Sequence, residues 1–433
     1  MRIRRAAAVV LSLGLALAGC SDAGGGSGTS GGNATITFWD NNGGPGRTPI
    51  YEELIKRFEA KNPNIKVEYV GVPSASVQQK YDTAVAGGSV PDVGGVTTSY
   101  LANLVGQDAL LPLDERVESS SLKGKLLPSL VDTIKQTAPD NKMYSLPSSA
   151  NLDVIWFRKD WFEAAGLTPP KTWDELVDRA TKLTDTAANR YGYTIRGGAG
   201  SVFQLLTETY AYSGVEKFFD GTKSTVDSPA NAELLSKITA LYKKATPEAD
   251  VNNNYTQMVA QFTGGSVAMM HHNLGSYSDV TKALGTDKVG AITLPVGPSG
   301  KKTIVPNPTD GFAVFKESKN PDAAWKFAEF LVSQESNSYW NEKVGQIPSN
   351  TDVRSEKWIE ANQPVKMALG VLEDPATKLV PAPLYLPQYS SITKTDSEPA
   401  YQKVLLGQQS PQEFLTGLAD KLSEAQKEWE ARK

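Results

Sequence analysis

Residues 34–69 read ATITFWDNNGGPGRTPIYEELIKRFEAKNPNIKVEY, and this stretch decides the fold class. From Ala34 to Trp39, Ile36 and Phe38 alternate with Thr35, Thr37 and Trp39, the two-residue period of a strand. A loop of Asp40, Asn41, Asn42, Gly43 and Gly44 follows. Thr48 can cap a helix that has Pro49 in its first position and Glu52 and Glu53 in its first turn, with Ile50, Leu54 and Phe58 along one face. The helix should stop near Asn62-Pro63, after which Ile65, Val67 and Tyr69 alternate again. Strand, helix, strand is the unit that builds parallel sheets by a right-handed crossover. It places the Asp40 loop at the carboxyl end of a strand, where open α/β sheets bind ligands.

Further along, Thr172-Trp173-Asp174-Glu175 and Ser410-Pro411-Gln412-Glu413 have the spacing of capping boxes, and Asn320-Pro321 marks a third helix start. Short apolar runs suited to buried strands lie between them, at Val154 to Phe157, Ser266 to Met270 and Phe312 to Phe315. The class is α/β, with helices on sheet faces.

The amino terminus has a different character. Arg2, Arg4 and Arg5 precede an apolar or small-residue run from Ala6 to Gly19, the layout of a secretion signal, and the run is too short to span a bilayer. Its ending, Leu17-Ala18-Gly19-Cys20, resembles the lipobox of bacterial lipoproteins, which implies cleavage after residue 19 and lipidation of Cys20. Cys20 is the only cysteine, so no internal disulfide is available. Residues 20–32 are almost wholly Gly, Ser and Thr and read as a flexible leash. The GxGxxG match at Gly26, Gly28 and Gly31 has no strand before it and no helix after it. Cleavage would leave 414 of the 433 residues, enough for two domains. The formal charge of −4, falling to −7 without the leader arginines, gives no support for nucleic-acid binding or for a polybasic membrane grip.

Taken in order, several segments resemble the sugar-type extracellular solute-binding proteins that feed ABC importers. The opening ITFWD at Ile36 to Asp40 is followed by a helix and NPNIKVEY, then by Gly87-Gly88-Ser89-Val90-Pro91-Asp92-Val93. Met143 to Pro147, Ile155 to Asp160, Ala164 to Leu167 and Pro169 to Leu176 continue the match. Phe262 to Met270, Gly311 to Phe315, Ser318 to Pro321 and Gly345 to Pro348 complete it. The resemblance implies a two-lobed periplasmic-binding-protein-like fold, with a ligand cleft that closes by hinge motion. Chain crossings are expected near Pro147 to Ala150, Pro308 to Gly311 and Gly345 to Pro348. One lobe then holds 33–147 plus 311–346, and the other 148–310 plus 347–433. The implied partners are a carbohydrate ligand, the permease subunits of the ABC transporter and the membrane, reached through the lipid anchor. No nucleic acid, metal or cofactor is expected, and the chain should be a monomer.

A sugar presents hydroxyls at its rim and apolar C–H faces, so its site needs hydrogen-bonding side chains and aromatic platforms. The resemblance places ligand contacts at Asp40, Asn41 and Asn42, residues that could equally form a polar turn bent at Gly43 and Gly44. Trp39 can face core or cleft. Of Thr97, Thr98 and Ser99, Thr98 is the candidate, against a plain helix cap; Asn151 is a ligand contact or a hinge hydrogen bond. His272 and Asn273 follow the Phe262 to Met270 run, where related proteins offer a tryptophan. Here Leu274, Gly275 and Ser276 supply none, and Tyr277 is the nearest aromatic. Asp310 points into the cleft or caps the bend, and Tyr389 is a candidate aromatic wall. Arg47 and Arg196 are the cations to consider for an anionic ligand such as a glycerol phosphate. A rival reading is an anchored glycoside hydrolase with two carboxylates across one bond. The sequence holds no HExxH, GxSxG or Walker loop. A peptide-binding lipoprotein also fits a two-lobed plan.

Overall fold

Ile36 and Phe38 are fully buried, as their alternation demands, because β1 (Ala34–Asp40) runs inside a six-stranded sheet. The computed structural model describes residues 33–74, 76–307 and 309–431. The signal, Cys20 and the leash lie outside the described residues, as does Pro308 at one expected crossing.

β1 pairs in parallel with β2 (Ile65–Gly71), Ala34 opposite Ile65, and with β3 (Val93–Thr97), Phe38 opposite Val93. The strand Asp310–Val314 then lies antiparallel between β3 and β4 (Leu146–Ala150), and Ile347–Pro348 pairs with the far edge of β4. The first two strands are joined by α1 (Thr48–Lys61), whose Tyr51, Leu54, Ile55 and Phe58 are buried. Thr48 is not its cap. Arg47 holds that position without a side-chain bond, and Glu52 and Glu53 fall beyond the first turn. The Thr48 hydroxyl instead accepts from Gly44 N at 3.2 Å and pairs with the Tyr69 hydroxyl at 2.9 Å, tying the Asp40 loop to β2. Around this sheet Phe38, Phe58, Val93, Leu101, Phe312 and Phe327 form one apolar core.

The second lobe is built on β5 (Asp153–Arg158), which sits between the strands Met269–Asn273 and Val289–Thr293, both antiparallel to it. Ile155 and Phe157 pack on one face with Trp173, Leu206, Tyr210 and Leu418. Val154 and Trp156 pack on the other with Met258, Phe262, Met270 and Val365. Burial on both faces explains why Val154 to Phe157 reads as an unbroken apolar run. The strand expected from Ser266 starts three residues later and continues through His271, His272 and Asn273, since Val267 makes only an isolated bridge to Tyr191.

Helix starts follow the sequence in part. Ser410 and Glu413 form a complete capping box. Thr172 accepts from Glu175 N at 3.2 Å, while the Glu175 carboxylate turns to Lys171 N at 2.7 Å. Asn320 bonds the Thr35 carbonyl rather than its own helix. Among the described residues no helix is long and apolar enough to cross a membrane.

The crossing strands pair side by side. Ala150 faces Ile347, while Ser149 faces Pro348 on one side and Asp310 on the other. The hinge is therefore a hydrogen-bonded patch of sheet.

Candidate functional site

Asp40 is 1% exposed and firmly held: the Tyr69 hydroxyl donates to its Oδ2 at 2.8 Å and Asn42 N to its Oδ1 at 3.0 Å. Burial raises its pKa, opposed by the bonds from Asn42 and Tyr69 and by the charge of Arg47. The loop lies close against β2, because a Cβ on Gly43 would come within 2.3 Å of the Gly71 Cα, a position only glycine can occupy. Asn41 is buried, and its side chain reaches the Tyr100 hydroxyl and the Asp310 carboxyl. Asn42 is half-buried beside them. Asp310 opens its strand at the hinge; burial raises its pKa, and Asp40 adds to this, against Arg47, Asn41 and Gln346.

The hinge floor is made of amides. Asn151 Oδ1 and Gln346 Oε1 are buried without a hydrogen-bond partner among the described residues. Both side chains converge on Gly275: a Cβ there would lie 3.3 Å from Asn151 Nδ2, 3.9 Å from Gln346 Nε2 and 2.9 Å from Asn273 Oδ1. Asn273 also accepts from Gly275 N at 3.0 Å, which turns the chain at the end of the strand. Gly345, at φ +72°, packs where a Cβ would be 2.5 Å from the Tyr277 Cβ. Asp40, Asn41, Asp310, Asn151, Gln346 and Asn273 thus form one polar cluster spanning both lobes.

Three expected contacts lie elsewhere. The Trp39 ring is partly buried against Tyr81, 5.6 Å between centroids, with Lys80 Nζ 4.2 Å from its own centre. It faces the Val77–Gly87 helix because it alternates with the buried Phe38 and Asp40. The Thr98 Oγ1 accepts from Thr309 N at 3.0 Å, and Thr98 N donates to Thr309 O at 3.1 Å. Its hydroxyl is committed to the second crossing, and the helix cap is Thr97. Tyr389 is 3% exposed inside the second lobe's core, edge-on to Phe218, so it forms no aromatic wall.

His272 is part of a feature the sequence did not reveal. Its ring stacks on Tyr255, 5.6 Å between centroids at 21°, and its Nδ1 is bonded to the Ser276 hydroxyl. Burial and the nearby Arg196 hold its pKa down at about 3, so the ring is neutral. Tyr255 is 45% exposed, one of two exposed large apolar side chains among the described residues. It opens the Tyr255–Thr263 helix at i, i+3, i+7 spacing with the buried Met258 and Phe262, so a helical stripe would have assigned it to the core.

The neighbouring His271, on the opposite face of the strand, was also missed. It is fully buried, with Nδ1 2.5 Å from Glu208 Oε1 and Nε2 3.2 Å from Asp153 Oδ2. Burial alone would lower its pKa; Glu208 and Asp153 outweigh that and lift it to about 9. Asp153 is also bonded by Thr207 and Asn307 and sits at about 2. Among the described residues no group of three or more His, Cys, Asp or Glu is arranged to hold a metal ion.

Two α/β lobes joined by three paired crossings, with buried amides and carboxyls gathered at the joint, define a hinged ligand-binding protein. Residues 44–338 match the family described as bacterial extracellular solute-binding protein, and the chain belongs to that family. It is similar to a putative binding protein of Brucella abortus, 26% identical over 381 residues that cover 86% of this chain and 89% of that protein. Among solved structures it is similar to the GacH receptor of Streptomyces glaucescens, determined unliganded and with acarbose (TM-score 0.79, 24% identity, 91% of this chain and 99% of that one). It is also similar to an ABC transporter solute-binding protein of Thermotoga lettingae bound with α-D-tagatose (TM-score 0.78, 25% identity, 91% and 100%).

Proposed function

We propose that this chain captures a carbohydrate between its lobes and delivers it to the permease of an ABC importer. The lobes are 33–147 plus 311–346 and 148–310 plus 347–433. The observation that carries the reading is the polar cluster at the hinge, where the unpartnered Asn151 and Gln346 carbonyl oxygens lie among Asp310, Asn41 and Asn273. Buried polar groups of this kind are costly unless bonded, and sugar hydroxyls supply donors. The exposed Tyr255 ring, backed by neutral His272, supplies the apolar platform that the missing tryptophan would otherwise provide. Acarbose and tagatose in the similar proteins favour the same class of ligand.

Asp40, Asn41, Asn42, Asn151, His272, Asn273 and Asp310 remain the ligand-contact set, joined by Tyr255 and Gln346. Asp40 acts mainly by bracing the loop. Cys20, lipidated after removal of residues 1–19, tethers the monomeric protein near its permease and raises its effective concentration there.

Titration with mono-, di- and trisaccharides, followed by melting temperature, tests the reading: a ligand at 100 times its Kd stabilises by about 2.7 kcal/mol. Asn41→Ala should remove the shift while the protein stays folded. A shift with peptides and with no sugar would overturn the ligand class. Steady release of reducing ends from oligosaccharides would make the protein a hydrolase.

A further inference from the structure

A cavity of about 270 Å³ lies in the second lobe behind the hinge, apart from the polar cluster. Its walls are largely aliphatic, from Ala211, Leu294, Val296, Ile304, Met367 and Val371. Apolar cavities of about 150 Å³ already admit benzene, so this one has room for two fused rings or a branched chain. Asp153 lines it, but its carboxylate is engaged by Thr207, Asn307 and His271. At the rim Lys301 is paired with Glu216 at 2.9 Å and Lys302 with Asp374 at 2.7 Å. The charges around the cavity are therefore matched, and an occupant need carry none. Thr377 also lines it, its Oγ1 buried and without a partner among the described residues.

Gly370 keeps the mouth open. It lies inside the Gln363–Glu373 helix, where glycine weakens the helix, and a Cβ on it would meet nothing within 4 Å. Packing does not require a glycine here; its effect is an unobstructed rim.

The cavity also borders the segments next to the first and second crossings. Leu152 and Asp153 follow the first, which ends at Ala150, and Thr303 to Val305 precede the second. Asn307 Nδ2 donates to Asp153 Oδ1 at 2.8 Å, linking the two segments beside it. An occupant in contact with both braces the two segments that enter the hinge, and so bears on its bending.

We propose that this cavity is a second binding site, for a small neutral aromatic or branched aliphatic molecule, and that filling it shifts the hinge between open and closed. The site stands independently of the carbohydrate reading. The probe is 2-naphthol, titrated into the full chain by its fluorescence, with solution X-ray scattering at saturation. The expected result is saturable binding at one site and a shift in radius of gyration. Gly370→Phe should weaken binding at least tenfold, with Gly370→Leu as a second filling variant should the phenylalanine disturb folding. Gly370→Ala, which leaves the rim open, should retain it. Absence of saturable binding, or binding equally tight in the filled variants, overturns the site. Binding with an unchanged radius overturns its coupling to the hinge. Failure of every sugar to bind, with 2-naphthol still bound, would sink the carbohydrate reading alone.

Discussion

The two faces of the Met269–Asn273 strand differ more than any other neighbouring regions of the molecule. On one face His271 sits among carboxylates in a sealed core and is charged. On the other, one residue on, His272 is neutral and supports an exposed ring. Identical side chains take opposite states because a strand turns successive residues to opposite faces, and the partners across each face decide the charge. The His271 side should therefore govern stability, and the Tyr255–His272 pair binding.

The largest effect should come from His271→Ala, which leaves Asp153 and Glu208 buried without their cation and should cost about 3–5 kcal/mol in denaturant unfolding. A loss under 1 kcal/mol would break the contrast between the faces. The pH dependence should be nearly as large. The folded pKa of His271, about 9, lies above its ordinary 6.5, so its contribution is complete below pH 6.5 and is lost as pH rises through 9. A shift of that size corresponds to about 3 kcal/mol. Asp153, lowered to about 2 from 3.8, gives the opposite sign: its stabilisation is complete above 3.8 and is lost as pH falls through 2. Stability measured from pH 6 to 10 should decline across the upper window, and a flat profile would remove the charge from His271.

At the exposed ring Tyr255→Ala should weaken sugar binding about tenfold, or about 1.4 kcal/mol, while unfolding free energy changes by less than about 0.5 kcal/mol. Loss of stability without loss of affinity would reverse the assignment. The smallest effect sharpens the account of the His271 side: Tyr389 shares the core with His271's neighbours but its hydroxyl has no partner among the described residues. Tyr389→Phe should be neutral or stabilising by up to about 1 kcal/mol, as read from the melting temperature.

The opening strand, helix and strand were legible because local alternation and apolar stripes record which side of each element is buried. The place of Asp40 and Asn41 at the end of β1 was legible because the alternation that marks the strand stops there. Side chains whose partners are remote in sequence were not. Thr98 looks like a cap until Thr309, 211 residues away, takes its hydroxyl. Thr48 likewise caps nothing because Tyr69 and Gly44 engage it. The start of the Met269 strand was misplaced by three residues, since Ser266 and Val267 carry strand-like residues with no strand beside them except one bridge. Tyr255 was concealed by fitting a helical apolar face too well.

The position of Asp310–Val314 has a consequence for the order of events during synthesis. It is an interior strand, inserted between β3 and β4, although it is made more than 150 residues after either. Until it emerges, both strands expose an unpaired edge, and the first lobe cannot close its core at Phe312 and Phe315. Contacts so distant along the chain form slowly. The first lobe therefore stays unfinished, and open to unfolding, until most of the chain has been made.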